Sequence, residues 1–521
     1  MKVSILDCTL RDGGYINNFH FGSNRKQTVK EKLCTANIEI IECGFLQSGK
    51  NDPEYSLYGA IDQILLPRDR KDCMFVAMIA FGEMSIDEIA PRQPGYIDAI
   101  RLTFHDDEWE PTKTFAIQLM EKGYQVFIQP VGCLYYTDEH LLNLIKDVNE
   151  INPFAFYIVD TLGSMYKKDL LRLFHLIEHN LAPYIRLGFH SHNNMQLSFS
   201  NCIELLEQHT QRHIILDASV YGMGRGAGNL NTELITHYIN QNIENRYNTI
   251  LLLELIDDII LPIYKHSVWG FSEPYYLSAI MDLHPNYASF LIDKQAVGMT
   301  RIAGMLNKLP RENRHLYRKS DIETLYHAEM SNNVEDNEAI KKLADEINDQ
   351  PVLVIAPGTS IRNNKKDINK YIHENNPYII SLNFMPDEIE SNLIFISNRK
   401  RFEQFQNGSL SYPTTTSLAV TSNISANGAY VIDYDSLLTG YSDFSGAMVL
   451  KFLIRLGLAN VALAGYDGFA AGENHFYESF DRYRSQETTN TLNKSINEQL
   501  VDINKMLKLT FITPTIYEVQ Q

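Results

Sequence analysis

The feature that most constrains the fold is a rhythm repeated eight times between residues 3 and 224. Each time, a short apolar run rich in β-branched residues is followed by a polar segment with helical spacing. Several runs are almost continuously apolar, as expected for strands buried on both faces of a parallel sheet. The eight runs are VSILDCTL, IEIIECGF, CMFVAMIAF, YIDAIRLTF, YQVFIQPVG, FAFYIVDTLG, YIRLGFHSH and HIILDASVYGMG.

Eight strand–helix units within residues 1–245 favour a closed (β/α)8 barrel of the TIM type. The segments between the runs support this, because stretches such as TDEHLLNLIKDVNEI place leucine and isoleucine at amphipathic helix spacing. An open, doubly wound sheet is the alternative for such a rhythm. We favour the barrel because eight units are the number that closes the ring.

The remaining chain divides into three parts. Residues 246–310 have mostly helical patterns and are expected to extend the barrel, whereas residues 311–350 are polar and charged, as in a helical connector. A second α/β rhythm over residues 351–521 predicts a Rossmann-like domain. Its predicted strands lie in PVLVIAPGTSI, PYIISLNF, NLIFISN, TSLAVTS, AYVIDYD and NVALAGYD.

The net charge of −18, from 64 acidic and 46 basic residues, argues against a nucleic-acid-binding protein that works through its overall field. The N-terminal residues lack the apolar core of a signal peptide, and no apolar run is long enough to predict a membrane span. The six cysteines form no CxxC pair and several lie in apolar runs. We therefore expect buried free thiols and a cytoplasmic protein.

Polar residues at the ends of two predicted strands form a candidate metal site, because barrel chemistry gathers where strands end. Strand 7 ends in His190-Ser191-His192, which places both imidazoles on one face. Asp12, after strand 1, adds a carboxylate, and this ligand set leaves positions on a divalent metal open for a chelating substrate. Arg11 offers a cation for a developing enolate oxygen. A chance histidine pair and a surface ion pair are the alternatives; their shared position at strand ends favours the metal site.

Four motifs resemble one family of enzymes. LDCTLRDGG, VDTLGS, GFHSHNN and GMGRGAGNLNTE together resemble the metal-dependent aldolase and lyase superfamily with an Arg-Asp signature on a TIM barrel. That superfamily includes 4-hydroxy-2-oxovalerate aldolase, hydroxymethylglutaryl-CoA lyase, and isopropylmalate and homocitrate synthases. GFHSHNNMQLSFSN is most similar to the 4-hydroxy-2-oxovalerate aldolase branch, and the resemblance extends over residues 1–310.

The resemblance implies roles for the matching positions. Arg11 would stabilise an enolate, and Thr161 in VDTLG would lie near the substrate. The reaction would make or break a carbon–carbon bond next to the enolate of a metal-bound 2-oxo acid such as pyruvate. An Mn²⁺ or Mg²⁺ ion would be held by Asp12, His190, His192 and, in or beside the metal shell of some members, Asn229.

One position departs from the family pattern. The 4-hydroxy-2-oxovalerate aldolases carry a histidine three residues after the metal-binding aspartate as general base, and this chain has Tyr15 there. A tyrosine with an ordinary pKa of about 10 is a poor base at neutral pH. His20 could take the role if its loop folds back over the strand ends; an ordinary loop histidine is the alternative reading of that residue.

The glycines of GMGRGAGN also fit a loose dinucleotide fingerprint, with Gly222, Gly224 and Ala227 at the spacing of that motif. No acidic residue closes a second strand about 20 residues further on, as the fingerprint requires. We therefore reject a dinucleotide site there. The glycines instead indicate close approach of the backbone to an anionic substrate or to the loop of Asn229.

The turn Ala356-Pro357-Gly358-Thr359-Ser360 follows an apolar strand and precedes a helix, so its N–H groups could bind phosphate. A plain strand-to-helix turn is the alternative. The C-terminal pattern resembles the nucleotide-sugar-binding fold of sialyltransferase-like and motility-accessory-factor-like proteins. That resemblance implies a possible base at His475, unless the domain is non-catalytic, and ligand contacts at Gly358, Ser360, Asn383 and Asp467.

Together these features predict a metal-dependent aldolase, a monomer or a homo-oligomer, that acts on a small 2-oxo acid and an aldehyde. The C-terminal domain would bind a nucleotide sugar, and the pairing of the two domains suggests surface-carbohydrate biosynthesis. Two alternatives stay open. One is a Claisen-type enzyme that condenses an acyl-CoA, and the other is a non-catalytic scaffold that binds metal or sugar nucleotide because the family's base is missing.

Overall fold

The structure is a computed structural model that describes residues 2–70, 72–294, 296–386, 389–406, 416–440, 442–470 and 486–519. The chain forms two compact units. The first comprises residues 1–288 and 314–316, and the second comprises residues 289–313 and 317–521.

The first unit contains a closed barrel of eight parallel strands. The ring closes because β1 pairs in parallel with both β2 and β8, which excludes the open-sheet alternative and confirms the predicted (β/α)8 barrel. A two-residue strand, Leu57–Tyr58, pairs beside β2. The strands are β1 Lys2–Asp7, β2 Ile40–Leu46, β3 Met74–Ala80, β4 Ala99–Phe104, β5 Gln125–Pro130, β6 Ala155–Asp160, β7 Arg186–Ser191 and β8 His213–Ala218.

The barrel strands are apolar along their length because they are buried on both faces. All six residues of β6 are buried, between the barrel interior on one side and the surrounding helices on the other. The helix Asp138–Ile151 shows the matching pattern on the outside, and Thr137 caps it by accepting a hydrogen bond from the His140 N–H at 3.2 Å. The core-facing residues of this helix are Leu141, Leu144, Ile145, Val148 and Ile151.

An α-helix follows six of the eight barrel strands, and helices continue through the segment after the barrel. After β2 and β3 the predicted alternation is wrong, because the only helices among the described residues there are the 3-10 helices Ile61–Gln63 and Ile86–Glu88. Both connections contain prolines and glycines, which interrupt helices. A π-helix, Ile256–Ile260, joins the α-helices Thr249–Leu255 and Leu261–Tyr264. The α-helices are Ser23–Thr35, Trp109–Glu121, Asp138–Ile151, Lys167–Asn180, Ser198–Leu206, Thr232–Asn242, Thr249–Leu255, Leu261–Tyr264, Glu273–Ile280, Pro285–Lys294, Met299–Asn307, Lys319–Met330, Asn337–Ile347, Ser360–Asn363, Lys365–Asn375, Arg399–Gln406, Ser445–Arg455 and Gln486–Asn504.

The second unit contains an open sheet of seven parallel strands in the order β13-β12-β11-β10-β9-β14-β15. Each of the six predicted runs contains one of these strands; the seventh, β15, is a short edge strand that the sequence analysis missed. The assignment to a Rossmann-like class remains a prediction. The strands are β9 Val352–Ile355, β10 Tyr378–Leu382, β11 Leu393–Ile396, β12 Ser417–Thr421, β13 Tyr430–Ile432, β14 Asn460–Ala464 and β15 Lys508–Phe511.

The six cysteines are all buried and none forms a disulfide, as predicted from their place in apolar runs. Among the described residues, no helix combines the length and apolar character needed to cross a membrane.

Candidate metal centre and active site

Asp12, His190 and His192 come together at the carboxyl ends of the barrel strands. One ligand atom from each of the three side chains lies within 4.8 Å of the others. The two imidazole rings are nearly perpendicular, at 89°, with their centroids 5.0 Å apart. Barrel closure produces this cluster, because β8 alone separates β1, which precedes Asp12, from β7, which carries His190.

Hydrogen bonds at the far side of each ring fix both histidines. The Nδ1 of His190 lies 2.9 Å from Asp217 Oδ2, and that of His192 lies 2.9 Å from the Asp160 carbonyl oxygen. Carboxylate and carbonyl oxygens only accept, so both Nδ1 atoms donate. This leaves each Nε2 as the ligand atom, the arrangement typical of metal-binding histidines. The Nε2 of His192 lies 3.8 Å from Asp12 Oδ2.

The electrostatics of the cluster suit a divalent cation. Burial acts to raise the pKa of Asp12, but the neighbouring Arg11 charge and the two histidines outweigh it and hold that pKa well below its ordinary value. Burial lowers the pKa of His192 to about 4. At neutral pH the site therefore presents an ionised carboxylate and a neutral imidazole, the forms in which these side chains bind metal.

Two buried polar atoms beside the cluster lack a hydrogen-bond partner among the described residues. They are Nη2 of Arg11 and Oδ1 of Asn229. The amide nitrogen of Asn229 donates to Asp12 Oδ2 at 2.6 Å, so this side chain lies directly against the cluster. A Cβ at Gly224 would lie 2.6 Å from the same Asp12 oxygen, which explains the glycine there. An unpartnered amide oxygen, a carboxylate and two imidazoles fit a divalent metal ion.

A chain of buried ion pairs crosses the barrel interior and connects two members of the cluster. Arg11 pairs with Asp12 at 2.6 Å and with Glu42 at 2.8 Å. Arg101 pairs with the same Glu42 oxygen at 2.8 Å and with Asp217, the partner of His190. The sequence analysis did not single out Glu42, Arg101 or Asp217. The signal was the presence of charged residues inside the apolar runs IEIIECGF, YIDAIRLTF and HIILDASV.

The two candidate bases lie in different surroundings. Tyr15 is in the turn after Asp12, and the guanidinium of Arg225 lies 5.8 Å from its ring centroid. Partial removal from water, opposed by Arg11, raises the pKa of Tyr15, which keeps it protonated at neutral pH. His20 is exposed, and its ring lies 5.0 Å from that of Tyr55. Within the described part of the chain, no hydrogen bond or ion pair joins His20 to the cluster.

Part of the barrel matches a known protein family. Residues 119–259 match the family described as HMGL-like. That segment of the barrel is similar to the HMGL-like family. The matched segment contains His190, His192 and Asn229, whereas Arg11 and Asp12 precede it.

Related proteins are similar to about half of the chain. The oxaloacetate decarboxylase of Mycobacterium tuberculosis is 26% identical over 238 residues, which are 44% of this chain and 68% of that protein. 4-Hydroxy-2-oxovalerate aldolase 2 of Comamonas testosteroni is 22% identical over 50% of this chain and 75% of its own length. Both names describe enzymes, a decarboxylase and an aldolase, which confirms the prediction of similarity to lyase-type enzymes.

Solved structures align with slightly more than half of the chain. The N-terminal domain of an aldolase from Bacteroides vulgatus is 24% identical, with 56% of this chain and 96% of that chain covered at a TM-score of 0.47. The hydroxymethylglutaryl-CoA lyase of a Bacillus species is 16% identical, with 53% and 97% covered at a TM-score of 0.42.

Thr161 follows β6 of the barrel, at the same end as the cluster of Asp12, His190 and His192. Its hydroxyl oxygen accepts a hydrogen bond from the Gly132 N–H at 2.9 Å. This bond ties the loop after β6 to the loop after β5. The side chain is partly buried, and its assignment to the substrate pocket remains a prediction.

The candidate residues of the second unit are largely bonded to one another. The carboxylate of Asp467 accepts from the Ser360 N–H at 2.7 Å and from the Ser360 hydroxyl. A Cβ at Gly358 would lie 2.5 Å from the same carboxylate. The N–H of Ser360, which was predicted to be available for phosphate, is therefore already bonded to an acidic side chain.

Asn383 is also hydrogen-bonded to other residues of the second unit. It has a φ of 59°, and its Oδ1 accepts from the N–H groups of Ser397 at 3.0 Å and Asn398 at 3.2 Å. A cavity nevertheless opens at this end of the sheet, lined among others by Gly358, Asn383 and Asp467. His475 lies outside the described residues.

Proposed function

We propose that the barrel is an Mn²⁺- or Mg²⁺-dependent aldolase that makes or breaks a carbon–carbon bond through the enolate of a 2-oxo acid, with pyruvate as the first choice. The observation that carries the proposal is the cluster of Asp12, His190 and His192 beside the two unpartnered atoms of Arg11 and Asn229. This combination brings together a metal-ligand set and a free hydrogen-bond donor.

A divalent cation, when bound, supplies a Lewis acid that favours enolisation of a chelated 2-oxo acid. The side chains of this barrel do the rest. Arg11 is fixed by Asp12 and Glu42, so its remaining Nη2–H groups are preorganised to donate to an oxygen where negative charge develops. Burial of this arginine, only 4% exposed, strengthens that interaction by excluding water.

Deuterium exchange of the pyruvate methyl protons, followed by NMR in the presence of Mn²⁺, tests enolate formation without knowledge of the aldehyde. We expect exchange with the purified protein, loss of exchange with EDTA, and loss with His192→Ala. His175→Ala is the matched control, because His175 is exposed on an outer helix. Metal binding without exchange of any 2-oxo acid would contradict the proposal and support the scaffold. Condensation of acetyl-CoA without pyruvate exchange would instead favour the Claisen-type enzyme.

We propose separately that the second unit binds a nucleotide sugar. The support is the cavity at the carboxyl ends of the parallel strands, which has aromatic walls at Phe444, Phe469 and Tyr517 and a cation at Arg401. Calorimetry with UDP- and CMP-sugars on the full chain tests it. We expect binding that Arg401→Gln weakens, and no heat from any of them would contradict it. A role in surface-carbohydrate biosynthesis rests on the pairing of the domains.

A further inference from the structure

Arg225 lies in the glycine-rich loop that follows β8, next to the cluster of Asp12, His190 and His192. We propose that its guanidinium binds an anionic group on the second substrate, so that the aldehyde partner of the reaction carries a carboxylate or a phosphate. This inference rests on the proposed aldolase function and names the substrate class of that same site.

The loop that carries Arg225 is fixed on both sides of that residue. The preceding residue, Gly224, approaches Asp12 so closely that a Cβ would lie 2.6 Å from its Oδ2. After Arg225, the Ala227 N–H donates to Asn194 Oδ1 at 2.9 Å, and Asn194 is itself buried. Gly224 contacts the Asp12 carboxylate, and Arg225 is the next residue of the loop. Because consecutive Cα atoms are about 3.8 Å apart, the backbone of Arg225 lies close to that carboxylate.

The side chain of Arg225 is positioned by neutral groups. Its Nη2 donates to His284 Nε2 at 2.8 Å, and its guanidinium lies over the Tyr15 ring. Burial, reinforced by Arg225, lowers the pKa of His284 to about 4, so this histidine is uncharged at neutral pH. Both neighbours orient the arginine and neither offsets its charge.

Arg225 forms no ion pair with any acidic residue in the described part of the chain. Other arginines at this end of the barrel are paired: Arg11 with Asp12 and Glu42, and Arg172 with Asp138. In a chain of net charge −18, an unpaired arginine fixed beside a reaction centre attracts an anion. The planar guanidinium can donate two parallel hydrogen bonds either to a carboxylate or to a phosphate. The proposal therefore includes both anions.

The role of Arg225 is therefore to discriminate between aldehydes by charge. Pyruvate supplies the enolate, and the charged end of the incoming aldehyde meets the guanidinium at the loop after β8. Because a hydrogen bond to a charged group is lost with an uncharged aldehyde, we expect a preference of about 10- to 100-fold in kcat/KM.

The experiment compares paired aldehydes with pyruvate and Mn²⁺. Succinic semialdehyde is matched with butyraldehyde, and glyceraldehyde 3-phosphate is matched with glyceraldehyde. We expect the wild-type protein to prefer the charged member of at least one pair, and Arg225→Gln to bring that ratio towards one. Arg225→Lys should keep part of it. Arg68→Gln, an exposed arginine in the segment before β3, is the matched control and should keep the wild-type ratio.

The outcomes separate this inference from the function beneath it. Pyruvate exchange in the wild-type protein supports the enolate chemistry whichever aldehyde is used, and its absence overturns the function itself. Exchange with equal turnover of charged and neutral aldehydes, or turnover of neither charged aldehyde, overturns the inference alone. A ratio unaffected by Arg225→Gln, with a raised KM for pyruvate, overturns it too, because Arg225 would then bind the pyruvate carboxylate.

Discussion

Asp217 holds His190 in one orientation, with its Oδ2 accepting the Nδ1–H bond at 2.9 Å while Arg101 pairs with the same carboxylate. An asparagine at 217 could present an N–H to that nitrogen and move the ring proton to Nε2, which would then no longer bind metal. We expect Asp217→Asn to weaken Mn²⁺ binding by about 10- to 100-fold, the usual effect of losing such a partner. Equilibrium dialysis of folded variant measures it; unchanged affinity would show that Asp217 is not needed to orient the ring.

Removal of either imidazole should abolish metal binding while the barrel stays folded. His192→Ala is the cleaner variant, because it frees only the backbone carbonyl of Asp160, whereas His190→Ala leaves Asp217 without one of its partners. Metal content by mass spectrometry and thermal unfolding by circular dichroism test both. Full metal occupancy in the double variant would eliminate the assignment.

Arg11→Lys should keep the metal and lose rate. A lysine offers one compact ammonium, which cannot reproduce the fixed pairs with Asp12 and Glu42 and still direct a donor at the enolate. We expect pyruvate exchange to fall by roughly 10²- to 10³-fold, the scale of one oxyanion donor. Mn²⁺ affinity is measured in parallel, and normal exchange in the lysine variant would make Arg11 a structural residue.

His20 and Tyr15 should respond differently to substitution. The exposed His20 packs against Tyr55, so we expect His20→Gln to change pyruvate exchange by no more than about twofold, as for a surface substitution. Tyr15→Phe should cost more, because Tyr15 lies beneath Arg225. With its pKa raised, Tyr15 should add no titration to the pH profile below about pH 10. Abolition of exchange by His20→Gln would instead restore His20 as the base.

Asp7 gives a test of stability that is independent of function. Burial raises its pKa from 3.8 to about 6, although the Thr9 N–H and the Thr232 hydroxyl bond to it. The folded state therefore holds this proton more tightly than the unfolded state. The free energy by which this tighter proton binding stabilises the folded state is fully present below pH 3.8, and it is lost as the pH rises through about 6.

Asp7→Asn removes that dependence. We expect the variant to gain stability relative to the wild-type protein between pH 4 and pH 8, by up to about 3 kcal/mol. Thermal unfolding at a series of pH values measures the difference, and a difference that does not change with pH would contradict the assignment.

Local pattern was sufficient to predict the ring of parallel strands and to bring Asp12, His190 and His192 together at one end of it. Strand burial on two faces leaves a continuous apolar run. A period of two places His190, in β7, and His192, directly after β7, on one face. Because strands of a barrel end at one rim, Asp12 could be assigned to the same site from its position after β1. The short edge strand β15 was missed because four residues, of which Leu509 alone is buried, carry too little pattern.

Only the tertiary structure decided which polar atoms of these residues are used and which are free. The chain of ion pairs through Glu42, Arg101 and Asp217 joins residues far apart in sequence, and the contact of Arg225 with His284 spans 59 positions. Likewise, the Ser360 N–H, a predicted phosphate contact, donates a hydrogen bond to Asp467 in the structure. The sequence by itself determined the period, face and strand end of each residue, because these follow from local backbone geometry. Partners across the barrel or sheet depend on closure and packing, which no local pattern encodes.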